Sequence, residues 1–515
     1  MSAADEQGAP TSGSQQTLWA RVPLYPVIFA VALIFVGYVD SDISVFAALR
    51  PLLVVLGASI VITSLAALAV RNLQLGGLIA AGLMLILRAS DVVHGAQAVG
   101  LILLVGIALF WFARLRRAAM LPSATRLLNV MSLALAAIIV GQALLSGIPG
   151  RIAADVQLAP GRAPAPGIPT TDPPDIYLLM LEDYPRADAL VRRFGFDNSA
   201  FLNDLRARGF TVSTQSRSNY VFTSLNVSAL FQMQYLGDVR SFASWQVGQG
   251  PRPYLQGIIN HNPALDLLHG EGYTIYSSAT RWETPSLRSA DVFCASGQIN
   301  EFEFQRIQDS LLGVALDALM TGWQADRDRS VVQAELACTA SQIQQSTSGP
   351  RFVFAHIEAP HIPVVFDEAG RPAPRSVYSE RTSVMQATPR EFATAYVAQL
   401  RYINARVLDL LGRIRNTARR PPIVIVMSDE GYNTDAAQPQ PSDLQDRFGS
   451  LFAAATPDHP GLFGDAPMPV NLFPTLFNAY FRTSLATHSA RFFTSSSEDP
   501  LRLAEVRDPF GPIGP

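Results

Sequence analysis

Apolar side chains run almost without a break from residue 23 to residue 148, then give way to short apolar bursts between polar, periodic stretches. In the first region, the runs 23–39, 51–70, 73–87, 99–112 and 127–148 predict five membrane-crossing helices. A crossing takes ~20 apolar residues. The second and fifth runs reach that length and the first nearly does. The third and fourth reach it if Arg88 and Arg114 extend their stems toward the surface. Four more runs follow the first, which argues against a cleaved signal peptide. Arg114, Arg116, Arg117 and Arg126 crowd the loop before the fifth run, with Arg21 and Arg71 also on the predicted inner side. Asp40 and Asp42 fall outside. This arrangement sets the N-terminus in the cytoplasm and everything after Gly150 outside the membrane, with Arg50 and Arg88 as departures.

The stretch GRIAADVQLAPGRAPAPGIPTTDPP then reads as a semi-extended tether. The predicted organisation is a tail (1–22), a five-helix bundle (23–148), a Pro/Ala-rich linker (149–174) and an outer domain (175–515). In the outer domain, continuous apolar runs at 176–181, 273–276, 352–357, 423–427 and 450–455 suit strands buried on both faces. Between them lie helical patterns. In DNSAFLNDLRARGF, Asn198 or Ser199 can cap, and Phe201, Leu202 and Leu205 share a face. Residues 392–415 carry Leu400, Ile403, Val407, Leu410 and Leu411 at helical spacing. Strand–helix alternation predicts an α/β domain with a mostly parallel sheet, whose chemistry sits beyond the carboxyl ends of the strands.

Composition narrows the choice. Of the 515 residues only 16% are charged and 49% are hydrophobic, against ~25% charged in a soluble domain. The net charge of −3 speaks against a nucleic-acid partner. All 39 basic side chains are arginine, which excludes a Schiff-base lysine and a GxxxxGK[ST] phosphate loop. Neither GxSxG nor GxGxxG occurs. Two cysteines, Cys294 and Cys338, cannot build a four-cysteine zinc site; they form one disulfide or remain two buried thiols.

Three predicted strands end in chemistry: Glu182-Asp183, Pro360-His361, and Ser428-Asp429-Glu430-Gly431. Clustered carboxylates raise one another's pKa unless a cation neutralises them, so a divalent metal is the economical reading. In SRSNYVFTSLNVSALFQMQYL, helical spacing sets Thr223 near a helix start, where it is either an N-cap or a hydroxyl activated beside a metal. His356 and His361 are not an HExxH pair, because Pro360 keeps them off one helix. His361 suits phosphate contact or proton donation, and His356 a core position.

Together these blocks resemble the alkaline-phosphatase superfamily, specifically membrane-anchored sulfatase-like proteins near lipoteichoic acid synthases and phosphoethanolamine transferases. The resemblance covers about 175–493 and is carried by PDIYLLMLEDYPRADAL, GFDNSAFLNDLRARGF, SRSNYVFTSL, INEFE, FVFAHIEAPHIPVVFD and IVIVMSDEGY. It implies a first-strand metal acid at Glu182, with Asp183 where a small residue is usual. It implies a metal-bound nucleophile at Thr223, a phosphate-contacting histidine at His361, a metal pair at Asp429 and Glu430, and an aromatic substrate contact at Trp282. The family's SDHG has histidine where this chain has Glu430, so every implied ligand is oxygen, favouring Mn²⁺ or Mg²⁺ over Zn²⁺. Neither cysteine lies in a CxPxR-like sulfatase motif. The resemblance thus implies an envelope-facing enzyme of a bacterial plasma membrane. It would act on lipid or cell-envelope phosphoesters by transfer of phosphoglycerol- or phosphoethanolamine-type groups, or by hydrolysis. The alternative is a weak or inactive sulfatase-fold protein with a binding or regulatory role.

Overall fold

The computed structural model describes residues 19–41, 43, 45–88, 121–145, 173–239, 251–295, 297–320, 322–347, 349–378, 387–433, 441–497 and 499–511. In chain order the helices used below are α1 (Tyr25–Ser41), α2 (Val45–Val70), α3 (Leu73–Arg88), α4 (Leu121–Leu145), α5 (Ala187–Phe194), α6 (Ser199–Ala207), α7 (Thr223–Gln232), α8 (Glu301–Gln308), α9 (Leu311–Leu319), α10 (Trp323–Gln344) and α11 (Pro389–Thr417). The strands are β1 (Ile176–Glu182), β2 (Thr211–Val212), β3 (Thr274–Ser278), β4 (Val292–Cys294), β5 (Arg351–Pro360), β6 (Ile423–Ser428), β7 (Phe452–Ala455), β8 (Phe492–Thr494) and β9 (Ala504–Val506).

The chain divides into two compact units. One comprises the N-terminal 152 residues together with the segment Glu301–Thr321, and the other holds the rest. In the first unit, α2 and α4 are long and apolar enough to cross a membrane, and α1 and α3 contain shorter apolar helices. The predicted fourth span, 99–112, lies outside the described residues, as does most of the linker, so the five-helix count is not established. The second helix starts at Val45 rather than at Pro51, which lies inside it. In apolar surroundings the backbone freed by an interior proline can be satisfied locally, so proline does not mark a start there. Asn129 of α4 accepts from the backbone N–H groups of Leu24 and Tyr25 at 2.9 and 3.0 Å and donates to the carbonyls of Trp19 and Val22. One buried side chain thereby satisfies orphan groups at the start of α1.

The second unit is a three-layer α/β structure. Its seven-stranded sheet has the order β2-β7-β6-β1-β5-β3-β4. Five strands are parallel through β6-β1-β5-β3-β4; β7 runs antiparallel to β6, and the edge strand β2 antiparallel to β7. Side chains alternate across the pleat. Tyr177, Leu179 and Leu181 of β1 pack on one face with Leu400, Ile403 and Val407 of α11. Ile176, Leu178 and Met180 pack on the other face with Val227, Leu230 and Phe231 of α7. Both faces of β1 are therefore buried, which explains its unbroken apolar run. Each fully buried leucine there contributes about 2 kcal/mol relative to exposure. α6 forms as expected from its apolar face, but Asn198 does not cap it: its amide donates to the Tyr184 hydroxyl at 2.8 Å. Asp197 accepts from the Ser199 N–H instead. Cys294 and Cys338 form a disulfide that ties the end of β4 to α10, resolving the two sequence alternatives.

Candidate active site

The parallel neighbours β6, β1 and β5 end on the same edge of the sheet. That topology brings Glu182-Asp183, Ser428-Asp429-Glu430 and Pro360-His361 together, as the strand-end reading expected. A register shift between Leu181 and Glu182 pairs Glu182 with Pro360, and the His361 N–H donates to the Glu182 carbonyl at 3.1 Å. Asp183 adopts a left-handed backbone, φ 52°, a region that aspartate tolerates better than most residues. The turn aims its N–H at Asp429 Oδ1, 3.1 Å away. Ser428 fastens the base of the site: its hydroxyl accepts from the Tyr184 N–H at 2.8 Å and lies 2.8 Å from the Leu181 carbonyl. Gly431 follows because a Cβ there would collide with the carbonyls of Asp446 and Gly449.

Thr223 is the first residue of α7, and its hydroxyl donates to Glu182 Oε1 at 3.4 Å. The N-cap position belongs to Phe222, so Thr223 is not the capping residue. The N-terminal end of the helix dipole favours negative charge beside it. His361 is 22% exposed, and its Nε2 lies 3.4 Å from Asp183 Oδ2. Trp282 is 38% exposed, and the Arg281 guanidinium stacks 5.0 Å from its ring centre.

Glu182, Asp183, Asp429 and Glu430 are all buried. Burial, then Glu358 and Asp429, hold the Glu182 carboxyl well above its ordinary range, with Arg281 opposing. Burial pushes Asp429 up to about 6, although hydrogen bonds from Thr223, the backbone amides of Glu430 and Asp183, and Ser428 pull it down. Glu430 is likewise raised, by burial and then by Asp183 and Asp429, against Arg447. Burial and then Arg281 push His361 down to about 3, leaving a neutral imidazole.

The donor set suits a divalent cation. Glu182 Oε2, Asp429 Oδ2 and Glu430 Oε2 are buried without hydrogen-bond partners, an arrangement that costs about 1–3 kcal/mol or more per group unless another charge satisfies it. Among the described residues no three His, Cys, Asp or Glu side chains already converge as a metal cage, so the fit is one of donor chemistry at adjacent strand ends.

Several groups were not legible in advance. Arg281 lies 3.4 Å from both His361 Nδ1 and Glu358 Oε2. Glu358 also accepts from the Trp282 N–H at 3.0 Å and donates its own N–H to Glu335 at 2.9 Å. The available signal was Glu358 itself, an acid inside a buried strand, since buried acids are normally paired. His356 is a core residue as expected, but neither ring nitrogen has a hydrogen-bond partner, and burial lowers it to about 4.

No protein-family model matches the chain, and no curated protein sequence matches it either. Solved structures do. The C-terminal periplasmic domain of EcEptC from Escherichia coli, in complex with Zn, matches at 12% identity over 64% of this chain and 93% of its own, with a TM-score of 0.41. BT1596, a 2-O GAG sulfatase, matches at 14% identity over 64% and 74%, TM-score 0.39. The soluble domain of lipooligosaccharide phosphoethanolamine transferase A from Neisseria meningitidis matches at 12% identity over 61% and 89%, TM-score 0.37.

Proposed function

We propose that the protein is a membrane-anchored, metal-dependent enzyme of the alkaline-phosphatase type that transfers or hydrolyses phosphoryl groups on lipid or envelope phosphoesters. The observation that carries this reading is the Thr223 hydroxyl at a helix N-terminus, 3.4 Å from Glu182, within buried carboxylates on three adjacent parallel strands. Glu182, Thr223, Asp429 and Glu430 would hold one divalent cation, whose charge would favour the threonine alkoxide. Thr223 Oγ1 attacks phosphorus, the bond to the leaving oxygen breaks, and that oxygen takes up a proton. An alcohol or water then attacks the phosphothreonine, giving up its proton and freeing Thr223. Neutral His361 donates a hydrogen bond to a phosphate oxygen, and Arg281 beside it balances phosphate charge. Trp282 and Asp183 border the site on the substrate side.

The all-oxygen donor set favours Mn²⁺ or Mg²⁺. Glu430 also supports a second reading, a binding or regulatory protein on the same fold, since it adds negative charge where an anionic substrate must arrive. The test is metal content of the full chain in detergent, followed by mass spectrometry of the peptide bearing Thr223 after exposure to phosphatidylglycerol and phosphatidylethanolamine. About one Mn²⁺ or Mg²⁺, lost in Glu182→Ala/Asp429→Ala, and a phosphorylated peptide absent in Thr223→Ala would support the enzyme. A folded chain that takes up no divalent cation in excess would refute it and leave the binding role.

A further inference from the structure

The segment Glu301–Thr321 interrupts the sheet-bearing part of the chain, yet it belongs to the apolar helical unit. It is firmly seated there. Phe302 of α8 is fully buried among Ile34, Tyr38, Ile43, Ala47 and Ala48, at the turn between α1 and α2. Glu303 forms a two-pronged ion pair with Arg50. Gly37 leaves room for Arg306, whose guanidinium a Cβ at that position would strike.

Helix α9 follows, started by Ser310, whose hydroxyl accepts from the Gly313 N–H. Leu312, Ala315, Leu316 and Leu319 are spaced i, i+3, i+4 and i+7, one stripe of the helix. Leu312 is 49% exposed, Leu319 84% and the following Met320 60%. The helix's one charge, Asp317, is off that stripe. An exposed aliphatic stripe of this kind is what water-facing helices avoid.

We infer that α9 lies in the surface of the lipid bilayer, its Leu312–Leu316–Leu319 stripe in contact with acyl chains; this rests on the proposal that α2 and α4 cross the membrane. Lipid is the occupant because the same unit already exposes Leu53, Leu65 and Leu68 of α2, side chains that only an apolar medium accommodates in such number. At nine residues, about 14 Å, α9 is too short to cross and suits the interfacial layer. Polar residues ahead of it, Gln308-Asp309-Ser310, let the chain return to water.

Nitroxide labels on single cysteines test this in the full chain reconstituted into phosphatidylethanolamine/phosphatidylglycerol vesicles; the two native cysteines are paired and do not compete. The sites are Leu312→Cys and Leu319→Cys on α9, Leu65→Cys on α2, and Ala405→Cys on the exposed face of α11. Relative to Ala405→Cys, both α9 labels should collide severalfold more with oxygen than with a water-soluble nickel chelate, at a shallower depth than Leu65→Cys. Nickel contact on α9 equal to that at Ala405, with Leu65 still in lipid, overturns the inference alone. So does shielding from both reagents, which would mean a protein partner or second copy covers α9. Nickel contact at Leu65 as well overturns the membrane reading itself.

Discussion

Removing the charge of Asp429 should change how stability depends on pH, in a calculable direction. Burial raises its carboxyl from 3.8 to about 6 in the folded chain without metal. A raised acid favours the folded state most below its ordinary value, and that advantage is lost as pH rises through about 6. The full penalty, reached well above 6, is about 3 kcal/mol. About half is already present at pH 5, so about 1 kcal/mol is lost between pH 5 and 7.5. For a domain of this size that corresponds to roughly 2 °C in Tm. His356 and His361 act in the opposite sense: both are depressed, so their stability is present above about 6.5 and lost on acidification. Both remain in Asp429→Asn and cancel from a comparison of the two proteins. Thermal unfolding of the full chain in detergent, followed by near-UV circular dichroism with a chelator present, reads the difference. Wild type should lose about 1 kcal/mol or more beyond Asp429→Asn between pH 5 and 7.5, because Asp429 also helps to raise Glu182 and Glu430, and excess Mn²⁺ should remove the wild-type loss. A difference that stays constant with pH, or changes the other way, would refute the assignment of Asp429 as a destabilised buried acid.

Three further outcomes are expected. Thr223→Val should fold with the wild-type Tm yet lower phosphoester turnover by roughly three orders of magnitude, whereas Thr223→Ser retains measurable turnover. Gly431→Ala should cost about 3 kcal/mol, read by denaturant unfolding, because the colliding partners are fixed backbone carbonyls. Cys294→Ser/Cys338→Ser should destabilise the chain by about 4 kcal/mol, from the 44-residue separation that the bond closes.

The sheet was legible because β1, β5 and β6 are buried on both faces, so their sequences are continuous apolar runs with chemistry at the end. The meeting of Glu182, His361 and Asp429 followed from parallel adjacency, which strand–helix alternation implies. Arg281 was not legible, because its role depends on Glu358 and His361, far away in sequence. The place of α8 and α9 was hidden for a different reason. Their apolar stripe is too short to register as a span, and its neighbours Phe302 and Glu303 find their partners on α1 and α2, more than 250 residues earlier. Asn198 misled because a residue suited to capping found a better-buried partner in Tyr184.

The disulfide has a consequence for the insert it encloses. Glu301–Thr321 lies between Cys294 and Cys338, so the segment is threaded inside a covalent ring. A protease that cut the chain between α8 and α9 would yield two fragments still joined, separating on a gel only after reduction. The same bond joins the last residue of β4 directly to a residue within α10, so the two stay linked whatever the insert does. Segments of different length or lipid affinity could then occupy that ring while β4 stays joined to α10.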